Sequence, residues 1–93
     1  MNRLVLSARL VERGHLRCTP AGVPALDLRL QHESELTEDG QSRRISMEIK
    51  ALAIGAITQA IAALDLGGPA VFAGFLAQAR NGRGLLFHIT SLS

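Results

Sequence analysis

The amino-acid sequence predicts an all-β protein, a small barrel of five strands with one short helix between the third and fourth strands. Two observations indicate this fold. Long stretches alternate apolar with polar residues, which is the period-two pattern of half-buried strands. A single stretch, Gly55–Leu64, places apolar residues at helical spacing instead, and it lies between the third and fourth alternating stretches.

The first strand covers Arg3–Glu12, and one of its faces is apolar. The other face carries Arg3, Val5, Ser7, Arg9 and Val11. Because two valines make this second face partly apolar, we expect both faces to be covered, by the protein's own core or by a second subunit. The chain continues over Arg13–Arg17, where Gly14 predicts a bulge or bend.

The second strand, Ala25–His32, follows a loop with two prolines and Gly22. Its inward residues are Leu26, Leu28 and Leu30, and its outward residues are Asp27, Arg29 and Gln31. The acidic segment Glu33–Ser42 is predicted to be a mobile loop at the tip of a long hairpin. The third strand, Arg43–Ile54, organises the fold. One face carries Ile45, Met47, Ile49 and Ala51, and the other carries Arg44, Ser46, Glu48 and Lys50.

The helix places Ile57, Ile61 and Leu64 on one face, and two glycines followed by Pro69 end it. The fourth and fifth strands are Ala70–Ala79 and Leu85–Leu92. They are joined by a turn centred on Asn-Gly, the strongest short-range signal for a hairpin. Phe72, Phe75 and Phe87 are predicted to be core residues. This element order is that of a Greek-key OB-fold, here a single domain over residues 1–93, which binds oligonucleotides or oligosaccharides on the outer face of strands 2 and 3.

The charge distribution is compatible with a polyanionic partner. Four acidic residues crowd the Glu33–Ser42 segment, and the rest of the chain has ten basic and four acidic residues. Scattered solubilising charge is the alternative interpretation. No apolar run approaches the roughly 20 residues of a membrane span, and the N-terminus lacks a signal-peptide layout. The single cysteine, Cys18, fits a reducing cytoplasm.

The sequence contains no catalytic or metal-binding constellation. His15, His32 and His88 are far apart, with no Cys or carboxylate at metal-ligand spacing. Cys18 has no activating motif beyond Arg17, so we expect a buried or inert thiol. Carboxylates cluster only on the predicted loop, which would hold an acid–base pair poorly. These patterns favour a binding module over an enzyme.

The predicted binding surface is a basic track on the outer face of strands 2 and 3, extended by the first loop and the last hairpin. Its residues are Arg17, Arg29, Arg44, Ser46, Lys50, Arg80 and Arg83. Ordinary solvated barrel surface remains the alternative. No predicted track position is aromatic, although base stacking contributes roughly 1–3 kcal/mol per base in single-strand binding. We therefore expect strongly salt-dependent binding.

Several short segments resemble a known family. They are Asn2–Ser7, Ala21–Pro24, Leu30–His32 with Ser34, Gly74-Phe75 and Asn81-Gly82. Together they resemble primosomal replication protein N, the PriB family, which is related to single-stranded DNA-binding proteins. The resemblance implies a bacterial, cytoplasmic homodimer of OB-folds, with Arg3, Val5, Ser7 and Val11 of the first strand at the interface. It implies binding to single-stranded DNA, to the PriA helicase and to other primosome proteins during restart of stalled replication forks, and assistance in loading the replicative helicase. It implies no catalysis, cofactor or small-molecule substrate.

The resemblance also shows where this chain departs from its family. Arg17, Arg80 and Arg83 match basic positions. Ser46 and Gln41 stand where the family has aromatic residues, and Glu33 stands where it has a basic one. These departures remove stacking surface or positive charge, so a second hypothesis is an adaptor that binds and stimulates the helicase with only weak DNA contact.

Overall fold

The protein is a closed barrel, described over residues 1–93 by a computed structural model. Its elements are β1 (Leu4–Arg13), β2 (Arg17–Cys18), β3 (Pro24–Glu38), β4 (Gln41–Ile54), α1 (Ile57–Ala62), β5 (Pro69–Gln78) and β6 (Leu85–Leu92). The strands are hydrogen-bonded in the order β1-β5-β6-β4-β3-β2, and β1 also pairs with β3, which closes the sheet. The five long strands and the position of the helix confirm the predicted OB-fold, and β2 is a short addition.

The first strand, β1, pairs with two neighbouring strands, and it contains a bulge. It pairs with β5 over Leu4–Arg9 and with β3 over Arg9–Arg13. The register shifts between Leu10 and Glu12, so Val11 is the extra residue. Strand β1 ends at Arg13 and pairing with β3 resumes at Arg17 with the register changed by one residue, which agrees with the interruption predicted at Gly14. The bulge at Val11 is a second irregularity, which was not predicted.

The core lies inside the barrel, and the predicted inward residues Leu26, Leu28 and Leu30 are confirmed as buried, whereas Met47 on the apolar face of the third strand is 39% exposed. Its largest fully buried apolar side chains are Phe72, Phe87, Leu10, Leu26, Leu30 and Ile61. The helix is shorter than predicted, Ile57–Ala62, and it contributes Ile61 to the core. Arg13 Nη1 donates to the carbonyls of Ile61 and Leu64 at 3.0 and 2.7 Å, which satisfies acceptors at the helix end. No helix is long and apolar enough to cross a membrane.

The segment Glu33–Ser42 is strand rather than the predicted mobile loop. The β3–β4 ladder runs without interruption from Ala25↔Ile54 to Glu38↔Gln41. Only Asp39 and Gly40 form the turn, with φ values of 50° and 75°, as a two-residue type I′ hairpin requires. Cross-strand partners explain why this acidic segment is extended. Arg43 Nη1 lies 3.5 Å from Glu38, and the Ser42 hydroxyl donates to Glu35 at 2.9 Å. The hairpin therefore projects as an arm from a molecule measuring 49 × 30 × 21 Å.

Candidate nucleic-acid interface

The strand register places outward-facing residues of four strands in one row across the barrel. Phe75 of β5 pairs with His88 of β6, His88 pairs with Leu52 of β4, and Leu52 pairs with Asp27 of β3. A groove of about 440 Å³ runs beside this row. Its lining consists of Arg17, Thr19, Pro20, Ala25, Asp27, Leu52, Ile54, Gln78, Arg80, Leu86 and His88. We call it the outer groove.

Two predicted track residues, Arg17 and Arg80, meet at the outer groove. Arg17 is already paired, because its Nε and Nη2 donate to the two carboxylate oxygens of Asp27 at 3.0 and 3.2 Å. The hydrogen bond and the charge of Asp27 raise the pKa of the Arg17 guanidinium above its usual value. Arg80 is exposed and has no carboxylate within ion-pair distance. The groove thus contains one compensated and one uncompensated cation.

A second, smaller groove of about 210 Å³ contains Arg29 and Lys50 and shares Asp27 and Leu86 with the outer groove. Arg29 is held between two carboxylates, with Nη2 at 3.0 Å from Glu12 and Nη1 at 3.6 Å from Glu48. Lys50, directly across from Arg29 in the ladder, is exposed and unpaired. Only Lys50 therefore adds uncompensated positive charge to this groove.

Arg44 and Ser46 lie farther out, on the projecting arm. Arg44 is opposite Glu35, and Ser46 is opposite Glu33 and accepts a hydrogen bond from Gln31 Nε2 at 3.1 Å. The outward face of β3 and β4 carries four carboxylates, Asp27, Glu33, Glu35 and Glu48, against three cations, Arg29, Arg44 and Lys50. This outward face therefore carries more acidic than basic side chains and is not uniformly basic. Contact of these residues with a nucleic acid remains a prediction.

The loop between β5 and β6 presents Arg80 and Arg83 together. The Gly82 N–H donates to the Ala79 carbonyl at 2.8 Å, and the Arg83 N–H donates to Asn81 Oδ1 at 2.9 Å. These bonds fix the loop and leave both arginine side chains exposed, with no carboxylate in ion-pair distance. Among the predicted track residues, this pair is the densest uncompensated positive charge.

The surface also carries an aromatic pair that the sequence analysis missed. Phe75, predicted to be in the core, is 38% exposed, and its ring stacks on His88 with centroids 4.7 Å apart and an interplanar angle of 10°. The prediction was wrong because Phe72 and Phe75 are three residues apart and so point to opposite faces of one strand. The three-residue spacing alone could have predicted that Phe75 is outward. In the same way, His88 alternates with the buried Phe87 and Ile89 and therefore points outward.

The remaining histidines and the cysteine form no reactive group. His32 Nδ1 donates to the Ser7 carbonyl at 2.6 Å, and its Nε2 is hydrogen-bonded to the Ser34 hydroxyl at 2.8 Å. Cys18, expected to be buried or inert, is exposed. No three His, Cys, Asp or Glu side chains are grouped so as to hold a metal ion.

The outward face of β1 lies apart from both grooves. Arg3, Val5, Ser7 and Val11 are all exposed on it, with Val5 at 53% and Val11 at 42%. An exposed strand face with two valines is available for burial against another chain.

A closed OB barrel with a cation-bordered groove on its outer face defines the class of single-strand-binding OB-fold proteins. Comparison with known proteins agrees. Residues 2–91 match the model of a family described as another single-strand binding protein family. The chain is 50% identical over 81 residues to replication restart protein PriB of Bordetella pertussis, covering 87% of this chain and 76% of that protein.

Solved structures give the same assignment. PriB of Ralstonia solanacearum has a TM-score of 0.90 at 36% identity, covering 100% of this chain and 96% of that one. A single-stranded DNA binding protein of Thermus aquaticus has a TM-score of 0.77 at 23% identity, covering 100% of this chain and 49% of that one, and it shares the fold. The chain belongs to the PriB family of replication restart proteins, a confirmation of the family resemblance. The names of these relatives indicate no enzymatic activity.

Proposed function

We propose that this protein is a single-stranded DNA-binding component of the bacterial primosome that acts in the cytoplasm to restart stalled replication forks. In this role it binds the exposed single strand and the PriA helicase and assists loading of the replicative helicase. It carries out no reaction itself. Its relatives are named as replication restart proteins, and that family membership supports the pathway.

The observation that carries DNA binding is the set of uncompensated cations around the two grooves. Arg80 lines the outer groove, Arg83 is exposed on the same β5–β6 loop, and Lys50 lies in the smaller groove that shares Asp27 with the outer groove. A single strand can follow these cations with its phosphates while its bases face the barrel.

Binding of oligo-dT is expected to be strongly salt-dependent. Three phosphate contacts would give a slope of about −2 in log K against log salt concentration, since each contributes about 0.7 on a single strand. Fluorescence anisotropy of a labelled oligonucleotide at four salt concentrations measures this slope. A binding constant that hardly changes between low and physiological salt would contradict the electrostatic account.

A second candidate function is a protein-interaction adaptor that grips and stimulates the PriA helicase with only weak DNA contact. The ion pairs favour it, because Arg17 and Arg29 are held by carboxylates and the arm presents more acidic than basic side chains outward. Undetectable DNA binding together with stimulation of helicase unwinding would support the adaptor. Sub-micromolar DNA binding would support the first function.

The protein acts as a homodimer joined through Arg3, Val5, Ser7 and Val11. The exposure of Val5 and Val11 supports this part of the proposal, since each apolar Å² that a second subunit removes from water would contribute about 25 cal/mol. Val5→Glu is expected to convert the dimer to a monomer at micromolar concentration in analytical ultracentrifugation. Leu85→Glu, at a residue 63% exposed on β6, is the control and should leave the mass unchanged. A wild-type monomer, or a dimeric Val5→Glu variant, would contradict this interface.

A further inference from the structure

We infer that His88, supported by Phe75, forms a stacking platform for one unpaired nucleobase in the outer groove. This inference rests on the proposed DNA binding and adds a base subsite on β5 and β6, outside the predicted track. The two rings are nearly parallel at 10° with centroids 4.7 Å apart. His88 lines the outer groove, and Phe75, which stacks on it, comes from the neighbouring strand β5 and is not part of the groove lining.

The cross-strand row places the half-buried His88 beside the aliphatic part of the groove lining. The next residue across the sheet from His88 is Leu52, and the groove wall continues with Ile54, which is 44% exposed. An aromatic ring beside the half-buried Leu52 and the exposed Ile54 is a surface that suits the flat, apolar face of a base. The groove volume of about 440 Å³ lies within the range of about 300–1,000 Å³ typical of small-ligand sites.

Charge completes the subsite. Arg80 lies on the same groove without a carboxylate partner, so it can contact a phosphate while the attached base stacks on His88. The arm offers no equivalent, because none of its side chains, Ser46 and Gln41 included, has an aromatic ring. Stacking therefore occurs at the barrel end of the DNA path rather than on the arm.

The test is a double-mutant cycle of binding affinities, in which one change is made in the protein and the other in the DNA. The protein change is His88→Leu, which replaces the flat ring with an aliphatic side chain of similar size. The DNA change replaces thymine nucleotides of an oligo-dT by abasic ones. Against oligo-dT, His88→Leu is expected to bind about tenfold more weakly than wild type, because one stacked base is worth roughly 1–3 kcal/mol. Against the abasic strand, the two proteins should bind equally.

Two further variants keep the inference testable if His88→Leu fails to fold. His88→Phe preserves the ring and should retain wild-type affinity. His88→Trp introduces the sole tryptophan of the chain, and its fluorescence should be quenched by oligo-dT and not by the abasic strand. Equal loss of affinity on both strands, an unquenched tryptophan, or a His88→Phe variant as weak as His88→Leu would each overturn the platform. If wild type binds neither strand, the proposed DNA binding itself fails, and His88→Trp then reports no quenching with any strand.

Discussion

Replacing Arg80 and Arg83 together with alanine is expected to weaken binding of single-stranded oligo-dT by about 25-fold at about 0.1 M salt. Both side chains are exposed on the β5–β6 loop and have no carboxylate partner. Each cation that neutralises a phosphate of a single strand contributes about 0.7 to the salt slope, so the double variant should lose about 1.4. If the two affinities converge near 1 M salt, that slope difference gives the stated loss. Anisotropy titrations at several salt concentrations measure both quantities.

Arg43→Ala is the control, and it removes one formal charge, whereas the double variant removes two. Its guanidinium lies 3.5 Å from Glu38, and Arg43 is on the face of the arm opposite Arg44. It removes the same formal charge as Arg80→Ala without removing an uncompensated cation from the outer groove. We expect it to leave the salt slope unchanged. A double variant that keeps the wild-type slope, while wild type binds oligo-dT, would place the β5–β6 loop outside the DNA site.

The fold could be predicted because the information lies within single strands. Leu26, Leu28 and Leu30 are buried as their alternation requires, and the turn chemistry of the Asn81-Gly82 pair marks the last hairpin. Period-two patterning decides which face of a strand is inward without any knowledge of its neighbours. The OB-fold topology then follows from the element order.

The arm could not be predicted in the same way, because its strand character depends on pairs. The segment Glu33–Glu38 is polar and has a low intrinsic preference for strand, so alone it is typical of a loop. Its extension depends on Arg44, which stands opposite Glu35, and on the side-chain contacts that Arg43 and Ser42 make with Glu38 and Glu35. Register, rather than local propensity, determines this part of the fold.

The pairing of arginines with carboxylates at the candidate site could not be predicted from the sequence, for a related reason. The Arg17–Asp27 pair joins β2 to β3, and the Arg29–Glu12 pair joins β3 to β1 across the bulge at Val11. Neither partner can be chosen before the strand order is known. The basic track was predicted from the positions of basic residues alone. The structure shows which of the arginines are paired with carboxylates, and it places His88 in the same groove as Arg17 and Arg80.

Replacing Gly74 with alanine is expected to destabilise the barrel by more than about 3 kcal/mol, the upper range for overpacking a tight core. A Cβ at this buried position would lie 1.7 Å from the carbonyl oxygen of His88 and 2.8 Å from its carbonyl carbon. The neighbours are backbone atoms and cannot rotate away. The register shift beside Gly74 leaves Thr90 as the extra residue of β6 and marks this close approach of β5 and β6. Urea unfolding followed by circular dichroism measures the free energy of unfolding.

Gly14→Ala is the control for Gly74→Ala, because its added methyl group would meet Asp27 at 3.5 Å or more and its φ is not positive. Its stability should change by no more than about 1 kcal/mol. Gly74 also fixes the backbone of His88, so a folded Gly74→Ala variant should show the weakened oligo-dT binding of His88→Leu. A fully stable Gly74→Ala protein with wild-type DNA affinity would mean that β6 can shift away from β5 at little cost. The aromatic pair, which joins these two strands, would then lack the rigid support that a stacking platform requires.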